Sequence, residues 1–311
     1  TRLRAETKIA VTAGVPDVSG TRGRIAVRGE PLFLSPATVA EAVDAMARED
    51  AVVVAGGTSV GLLLGQRLLE PSALVWLGRI AGIRGITRQA DRIVVGAGTT
   101  LGEVAADPAI GSSLTAVSAA AAAVGNVRVR AVATVGGALA HADPRQDLPP
   151  ALLACDAELR IVGPNGSREL PLRDFATGFM STVLAPGELI TAISVPLAAG
   201  RRSCYCRFTP ASADDYPCVG VAASVCLADQ EVTAARVAVG GAAPVAYLVD
   251  EAESLVGTSA PAAAVTAVAR AAASRAAPMD DRLGSASYKR AMVAVWVERA
   301  LCDCLGASGS A

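Results

Sequence analysis

The sequence predicts an α+β protein, with helices and strands mixed in its first half and a meander closed by helices in its last third. Three observations carry this reading: a strand–turn–helix–strand unit over residues 51–77, an antiparallel meander of three strands over residues 204–239, and closing helices at 261–275 and 286–305. A chain of 311 residues favours two or three domains.

Residues 1–29 read as an irregular N-terminal extension, punctuated by Gly14, Pro16, Gly20, Gly23 and Gly29. A helix follows, with Ser35 as its cap, Pro36 in its first turn, and Val39, Ala42, Val43 and Met46 on one face. The apolar run at 51–55 ends in Gly56-Gly57-Thr58-Ser59, a buried strand entering a tight turn. A helix through 62–69 and a strand at 73–77 complete that unit. Residues 83–87 and 92–96 flank Gln89-Ala90-Asp91 as a hairpin. Thr100 and Glu103 form the T-x-x-E capping box of another helix. An alanine-rich helix spans 112–124 and stops at Gly125. Residues 131–150 show little periodicity and read as a long loop of the kind that carries function. Asp147 with Pro149 opens a helix through Cys155.

Strands then dominate: 158–162 and 167–170 around the Pro164-Asn165-Gly166 turn, and 189–195. The meander comprises 204–209, 219–227 and 232–239, its last two strands joined at Ala228-Asp229-Gln230. Helices are expected at 247–256, 261–275 and 286–305. Pro196 and Gly200 interrupt the pattern and place a domain boundary near 197–203, dividing 30–199 from 200–311.

Bulk properties exclude several function classes. A net charge of −1 gives no electrostatic footprint for nucleic acid. The longest weakly polar run, at 114–125, is too short to span a bilayer, and Arg2, Arg4, Glu6 and Lys8 interrupt any leader-like run. A cytoplasmic location is therefore expected. The seven cysteines (155, 204, 206, 218, 226, 302 and 304) are odd in number and form no C-x-x-C pair, which favours free thiols; the C-x-C pairs leave metal or iron–sulfur ligation as a minor alternative, and no metal ligand is assigned. His141 is the one histidine, so a hydrolytic triad or a zinc site of the usual kind is poorly supplied. Gly96-Ala97-Gly98 lacks the third glycine of a dinucleotide fingerprint, where Leu101 stands, and reads as a tight strand-to-helix turn.

The paired glycines carry more chemistry. Glycine permits positive φ and lets backbone approach a ligand closely. Successive N–H groups in such turns form an anion-binding nest, and a following helix adds partial positive charge. Ala55-Gly56-Gly57-Thr58-Ser59 meets these conditions, and Thr134-Val135-Gly136-Gly137 offers a second turn. Two nests suit a pyrophosphate. Two ordinary tight turns are the other reading.

Four motifs extend this. They are Val53-Val54-Ala55-Gly56-Gly57-Thr58-Ser59; the stretch from Ala133-Thr134-Val135-Gly136-Gly137 through Ala142-Asp143-Pro144 to Asp147-Leu148-Pro149-Pro150; Pro186-Gly187-Glu188-Leu189-Ile190; and the start of the closing helix at 285–290. Through them the chain resembles the FAD-binding medium subunit of the molybdenum hydroxylase family, the carbon monoxide dehydrogenase and xanthine dehydrogenase type, over roughly residues 30–305. The resemblance implies a vanillyl-alcohol-oxidase-type FAD domain in two α/β subdomains, split near 80–90. It also implies a C-terminal domain of a three-stranded antiparallel sheet with helices. It implies non-covalent FAD, its pyrophosphate held by Ala55, Gly56, Gly57, Thr58, Ser59, Thr134, Gly136 and Gly137, with Asp143 and Asp147 near the ribityl chain or phosphates. Ile190 then lies near the flavin ring, and Arg207 stands where some relatives carry a lysine close to it.

The partners so implied are a molybdenum-cofactor subunit and a [2Fe–2S] subunit, which feed electrons through FAD to NAD, a quinone or oxygen. A stand-alone FAD enzyme and a scaffold that has lost FAD are the alternatives. The sequence departs from the family's I-R-N and G-G-N patterns at Ala131 and Ala138, so two amides are missing from the expected cradle. Each lost hydrogen bond is worth about 0.5–1.5 kcal/mol.

Overall fold

The first layer of the computed structural model, which describes residues 30–212 and 214–306, is a small parallel sheet. The predicted extension at 1–29 lies outside the described residues. The layer runs β1 (Leu32–Leu34), α1 (Val39–Ala45), β2 (Ala51–Val54), α2 (Val60–Gly65) and β3 (Ala73–Trp76), in spatial order β1-β3-β2. Parallel neighbours need crossovers, which α1 and α2 help supply. The predicted strand–turn–helix–strand unit is present. Helix α1 starts later than expected: Thr38, not Ser35, is its cap, accepting from the Glu41 N–H, while the Glu41 carboxylate takes the Ala37 N–H.

A five-stranded antiparallel sheet forms the second layer. It begins with β4 (Ile86–Arg88) and β5 (Arg92–Gly96). Six helices follow: α3 (Leu101–Ala106), α4 (Pro108–Ser113), α5 (Thr115–Ala123), α6 (Val127–Arg130), α7 (Val135–His141) and α8 (Leu148–Ala154). The chain returns through β6 (Glu158–Gly163) and β7 (Gly166–Pro171), a small hairpin of β8 (Ala176–Gly178) and β9 (Ser181–Thr182), and β10 (Leu189–Pro196). Strand β10 inserts between its predecessors to give the order β4-β5-β10-β6-β7. Ile93, Ile161 and Ile193 of the sheet bury against Leu101, Val117 and Leu148 of the helices. Apolar burial of this kind stabilises by about 25 cal/mol per Å².

Three local readings meet the structure differently here. The Thr100–Glu103 capping box is formed in both directions. The alanine-rich helix predicted over 112–124 is broken at Leu114, because Asp107 caps and Pro108 opens a separate helix α4. The stretch 131–150 is not a loop throughout: it holds α7 and the start of α8. Two adjacent glycines give α7 poor intrinsic propensity, so packing and not local preference makes it helical.

The third layer is β11 (Arg201–Phe208), β12 (Val219–Ala228), β13 (Glu231–Gly240) and β14 (Tyr247–Leu248), closed by α9 (Ala262–Arg275) and α10 (Ala286–Leu305). The predicted meander and both closing helices are present, but the sheet has four strands and not three. Residues 247–256, expected to be a helix, divide instead. Tyr247 and Leu248 pair with Val239 and Ala238, and Asp250–Leu255 is a 3₁₀ turn. The Tyr247 hydroxyl anchors that strand by donating to the Ala272 carbonyl of α9 at 2.9 Å. Asp229 and Gln230 both adopt positive φ, 49° and 67°, the mirror-image turn that suits the twist of a two-residue hairpin.

This sheet is buried on both faces, as side-chain alternation allows. Ala222 and Ala238 pack with the α5 and α8 core, whereas Val221, Val225, Val237 and Val239 pack with α9 and α10. Among the described residues no helix is long and apolar enough to cross a membrane.

Candidate functional site

The layers meet around a cleft of about 340 Å³, within the range of small-molecule sites. Ten of the twelve residues singled out in the sequence line it: Ala55, Gly56, Gly57, Thr58, Ser59, Thr134, Gly136, Gly137, Asp147 and Ile190. Asp143 and Arg207 do not. Segments distant in sequence thus converge on one space.

The loop after β2 behaves as a nest. Gly57 sits at φ +73°, and the Gly56 N–H and those of Gly57, Thr58 and Ser59 meet no acceptor among the described residues. The hydroxyls of Thr58 and Ser59 are also without a hydrogen-bond partner there. Gly56 is required for a different reason: a Cβ would overlap the Val132 carbonyl, so this loop packs directly on the approach to α7.

The second glycine pair is not the free nest its sequence suggests. Thr134 caps α7, its hydroxyl accepting from Gly137 N–H at 3.2 Å. The Val135 N–H is taken by Thr99 O at 3.0 Å and the Gly136 N–H by Ala97 O at 2.8 Å. Gly136 is there for packing: a Cβ would lie 2.6 Å from Ala97 Cβ. Neither Gly136 nor Gly137 has positive φ. These residues wall the cleft, and the amides of residues 56–59 are the ones left open to a ligand.

Asp147 is buried at the cleft and does not cap α8 with its side chain. Its Oδ1 accepts from the Tyr205 hydroxyl at 2.8 Å and faces Arg207 Nε at 3.1 Å. Burial pushes the Asp147 carboxyl above its usual range, against the opposing pulls of Arg207 and Tyr205. Arg207 also donates to the carbonyls of Ala123 and Asp215. It therefore clamps the end of α5 and the segment that brings Asp214, Asp215 and Tyr216 to the cleft.

Asp143 folds inward on its own turn, accepting from the Arg145 N–H at 2.9 Å and pairing with its guanidinium at 3.2 Å. That guanidinium lies over the Tyr216 ring at 4.9 Å. Asp143 does not line the cleft itself but meets its lining residues, through Arg145 over Tyr216 and through its carbonyl, which accepts from the Gln146 N–H at 3.1 Å. His141 lines the cleft, and burial lowers its pKa while Asp143 opposes the shift.

Several lining residues lie in the quoted motifs without being named there as site residues. Gln146 is one: its Oε1 is buried and has no hydrogen-bond partner, a condition rare in folded proteins. Glu188 is another, held by Arg168 through two 2.8 Å contacts. Arg168 keeps the Glu188 carboxyl below the usual carboxylate range, against burial. Both lie inside the motifs, Gln146 before Asp147 and Glu188 two residues before Ile190, and that membership is the available signal. Tyr205 was legible only as an alternating position on the predicted strand 204–209.

The Glu188–Arg168 pair predicts a pH effect. A carboxyl depressed in the folded state contributes stability above its unfolded value, about 4.3, and loses it as pH falls through the folded value. Glu188→Gln is expected to be less stable than wild type near neutrality, the two curves converging in acid. Melting temperatures recorded across that range check this, and parallel curves would remove Glu188 as the source.

A loop whose amides meet no acceptor among the described residues, and a buried amide oxygen without a partner, thus line one cleft between the layers. Comparison with known proteins makes this specific. Residues 26–198 match the family described as the FAD binding domain in molybdopterin dehydrogenase, and residues 205–303 match the CO dehydrogenase flavoprotein C-terminal domain. The chain is 33% identical over 260 residues to the 6-hydroxypseudooxynicotine dehydrogenase complex subunit alpha of Paenarthrobacter nicotinovorans, covering 83% of this chain and 88% of that one. It is 31% identical over 272 residues to the carbon monoxide dehydrogenase medium chain of Hydrogenophaga pseudoflava, covering 86% and 95%. A solved carbon monoxide dehydrogenase from that organism superposes with a TM-score of 0.87 at 31% identity, covering 90% of this chain and 99% of that one. The chain belongs to the FAD-binding medium subunits of the molybdenum hydroxylase family, and is an FAD-containing oxidoreductase subunit.

Proposed function

We propose that the cleft holds one non-covalent FAD, and that the chain passes electrons through it from a partner [2Fe–2S] subunit to an external acceptor. In this reading a molybdenum-cofactor subunit oxidises the substrate, and the complex works in the cytoplasm. The first two layers are then the two subdomains of a vanillyl-alcohol-oxidase-type FAD domain, divided near 80–90. The third layer, beyond 197–203, is the C-terminal domain. The observation that carries the reading is that four N–H groups at residues 56–59 and the Oε1 of Gln146, all without a partner among the described residues, line the same cleft.

The residues present fit the group. The amides and hydroxyls of residues 56–59 would hold a pyrophosphate, whose oxygens accept where these groups donate. Gln146 would accept from a ligand hydroxyl or N–H. Thr134, Gly136 and Gly137 line the cleft as one wall, and Ile190 offers an apolar surface to the ring. Bound FAD supplies the redox chemistry, and the protein supplies position and electrostatics. Ala138 lines the cleft where the family usually has asparagine, whereas Ala131, the other departure, does not line it.

Acid or heat precipitation of the purified protein is expected to release its flavin to the supernatant. Flavin remaining in the pellet would show a covalent link and overturn the non-covalent reading. A colourless protein that takes up no FAD would overturn the function itself. Gln146→Leu is expected to bind FAD about fivefold more weakly, the equivalent of roughly 1 kcal/mol for one hydrogen bond. It should also leave apo stability unchanged or slightly raised, because an unpaired buried oxygen is removed. Titration with FAD beside an apo melt checks this; unaltered affinity would take Gln146 out of the site.

A further inference from the structure

The third layer carries a second cluster of chemistry, away from the cleft. Strand β11 alternates strictly. Ser203, Tyr205 and Arg207 turn toward α5 and Asp147, so Cys204 and Cys206 turn the other way, toward α10. On α10 the positions Ala300, Asp303 and Cys304 share a face by helical spacing. The Cys204 thiol donates to the Ala300 carbonyl at 3.0 Å, and Cys206 Sγ lies 3.7 Å from Asp303 Oδ2. Cys204 Sγ, Cys206 Sγ and an Asp303 carboxylate oxygen all fall within 4.8 Å of one another. Cys304 adds a third sulfur 3.2 Å from that of Cys204.

We propose that Cys204, Cys206 and Asp303 form a binding site for a thiophilic divalent cation of the zinc class, pinning β11 to the last turn of α10. The size is right. Zinc binds sulfur at about 2.3 Å and carboxylate oxygen at about 2.0–2.2 Å, so a tetrahedral site spaces its ligand atoms about 3.5–3.8 Å apart. The 3.7 Å from Cys206 to Asp303 meets this without movement. The chemistry is right as well, since two thiolates and one carboxylate balance the ion with one negative charge to spare. As the metal enters, two S–H protons pass to solvent and two metal–sulfur bonds replace them. The Asp303 end is exposed and provides the way in, while Cys204 and Cys206 are half-buried. The fourth position is left to water or to the Cys304 sulfur. Because Tyr205 and Arg207 lie on the opposite face of the same strand, the ion would stiffen the element that meets Asp147.

The test uses the full chain, stripped with chelator, then incubated with Zn²⁺ and desalted. One equivalent of zinc per chain is expected to be retained, with two protons released per ion in weak buffer where water fills the fourth position and three where Cys304 does. Cys206→Ser should lose retention, and the neighbouring Cys302→Ser should keep it. Asp303→Asn, at an exposed side chain, removes a ligand and should weaken binding by at least on the order of 100-fold, the upper end of what even outer-shell changes cost. Zinc retained equally by wild type and Cys206→Ser, or uptake without proton release, would overturn the site. So would a count of five titratable thiols in the stripped, denatured chain instead of its seven cysteines, because Cys204 would then be joined to Cys304 in a disulfide.

Discussion

Gly56→Val is expected to yield protein with no flavin and badly impaired folding, whereas Gly57→Val should lose the flavin and keep the fold. The two glycines are adjacent and needed for unlike reasons. At Gly56 the space is closed: a Cβ would overlap the Val132 carbonyl and come within 2.9 Å of Ala133 Cα. Both obstacles are backbone and cannot rotate aside. Overpacking of this kind costs about 3 kcal/mol or more, and relieving it would separate the loop from the approach to α7. At Gly57 the space is open, the nearest atom being Val54 Cγ1 at 3.7 Å, but φ is +73°. An L-residue pays about 1–2 kcal/mol there, and a β-branched one more. The loop would re-form with ordinary dihedrals, and its four open N–H groups would no longer converge. Flavin-to-protein ratios after desalting, with melts of the apo forms, separate the two effects. Normal flavin content in Gly57→Val would make that turn merely structural.

How far this was legible in the sequence depends on where each signal lives. The Thr100–Glu103 box and helix α10 are written locally, in a cap and a long period, and the structure carries both. The hairpin between β12 and β13 is likewise local, because Asp229 and Gln230 accept positive φ. Helix α7 is not local. Val135–His141 contains two glycines, and it becomes helical because Gly136 fits against Ala97 and Thr99 and Thr134 take its first amides. Strand β14 is two residues long, too short for any period, and is held by Tyr247 reaching α9. The site divides in the same way. Glycine chemistry pointed to residues 56–59, and there the amides are open. The same chemistry at 136–137 pointed to a nest, and long-range packing had already used those amides. Gln146 lies inside a motif, but its role is not marked locally, since its orphaned oxygen exists only once the layers close around it.

Asp147→Ala is expected to destabilise the protein by about 3–5 kcal/mol with or without FAD, and by more when FAD is bound. Two readings of this residue follow from its sequence position: a cap for α8, or a ligand to the cofactor. The cap is excluded, because its side chain makes no cap hydrogen bond. The structure adds a third role. Asp147 joins the second layer to the third, through Arg207 at 3.1 Å and Tyr205 at 2.8 Å, and its side chain is only 5% exposed. Truncation removes the carboxylate that faces Arg207 and leaves the buried Tyr205 hydroxyl without its acceptor, hence the large figure. That loss applies to apo and holo protein alike. A ligand contact adds a further loss only with FAD present, because bound ligand stabilises by mass action. Asp143→Ala is the proper comparison. Its partner Arg145 is 42% exposed and turns to water when released, so the cost should be about 1–2 kcal/mol. Any effect on FAD would travel through Tyr216, over which Arg145 stacks, or through His141, whose charge Asp143 favours. Tyr205→Phe removes one arm of the staple while leaving Asp147 in the cleft, and should lower apo and holo melts equally. If Asp147→Ala also lowers both equally, Asp147 is the staple between the layers and not a ligand to FAD. A larger drop in holo protein, seen for Asp147→Ala and absent in Tyr205→Phe, assigns it both roles.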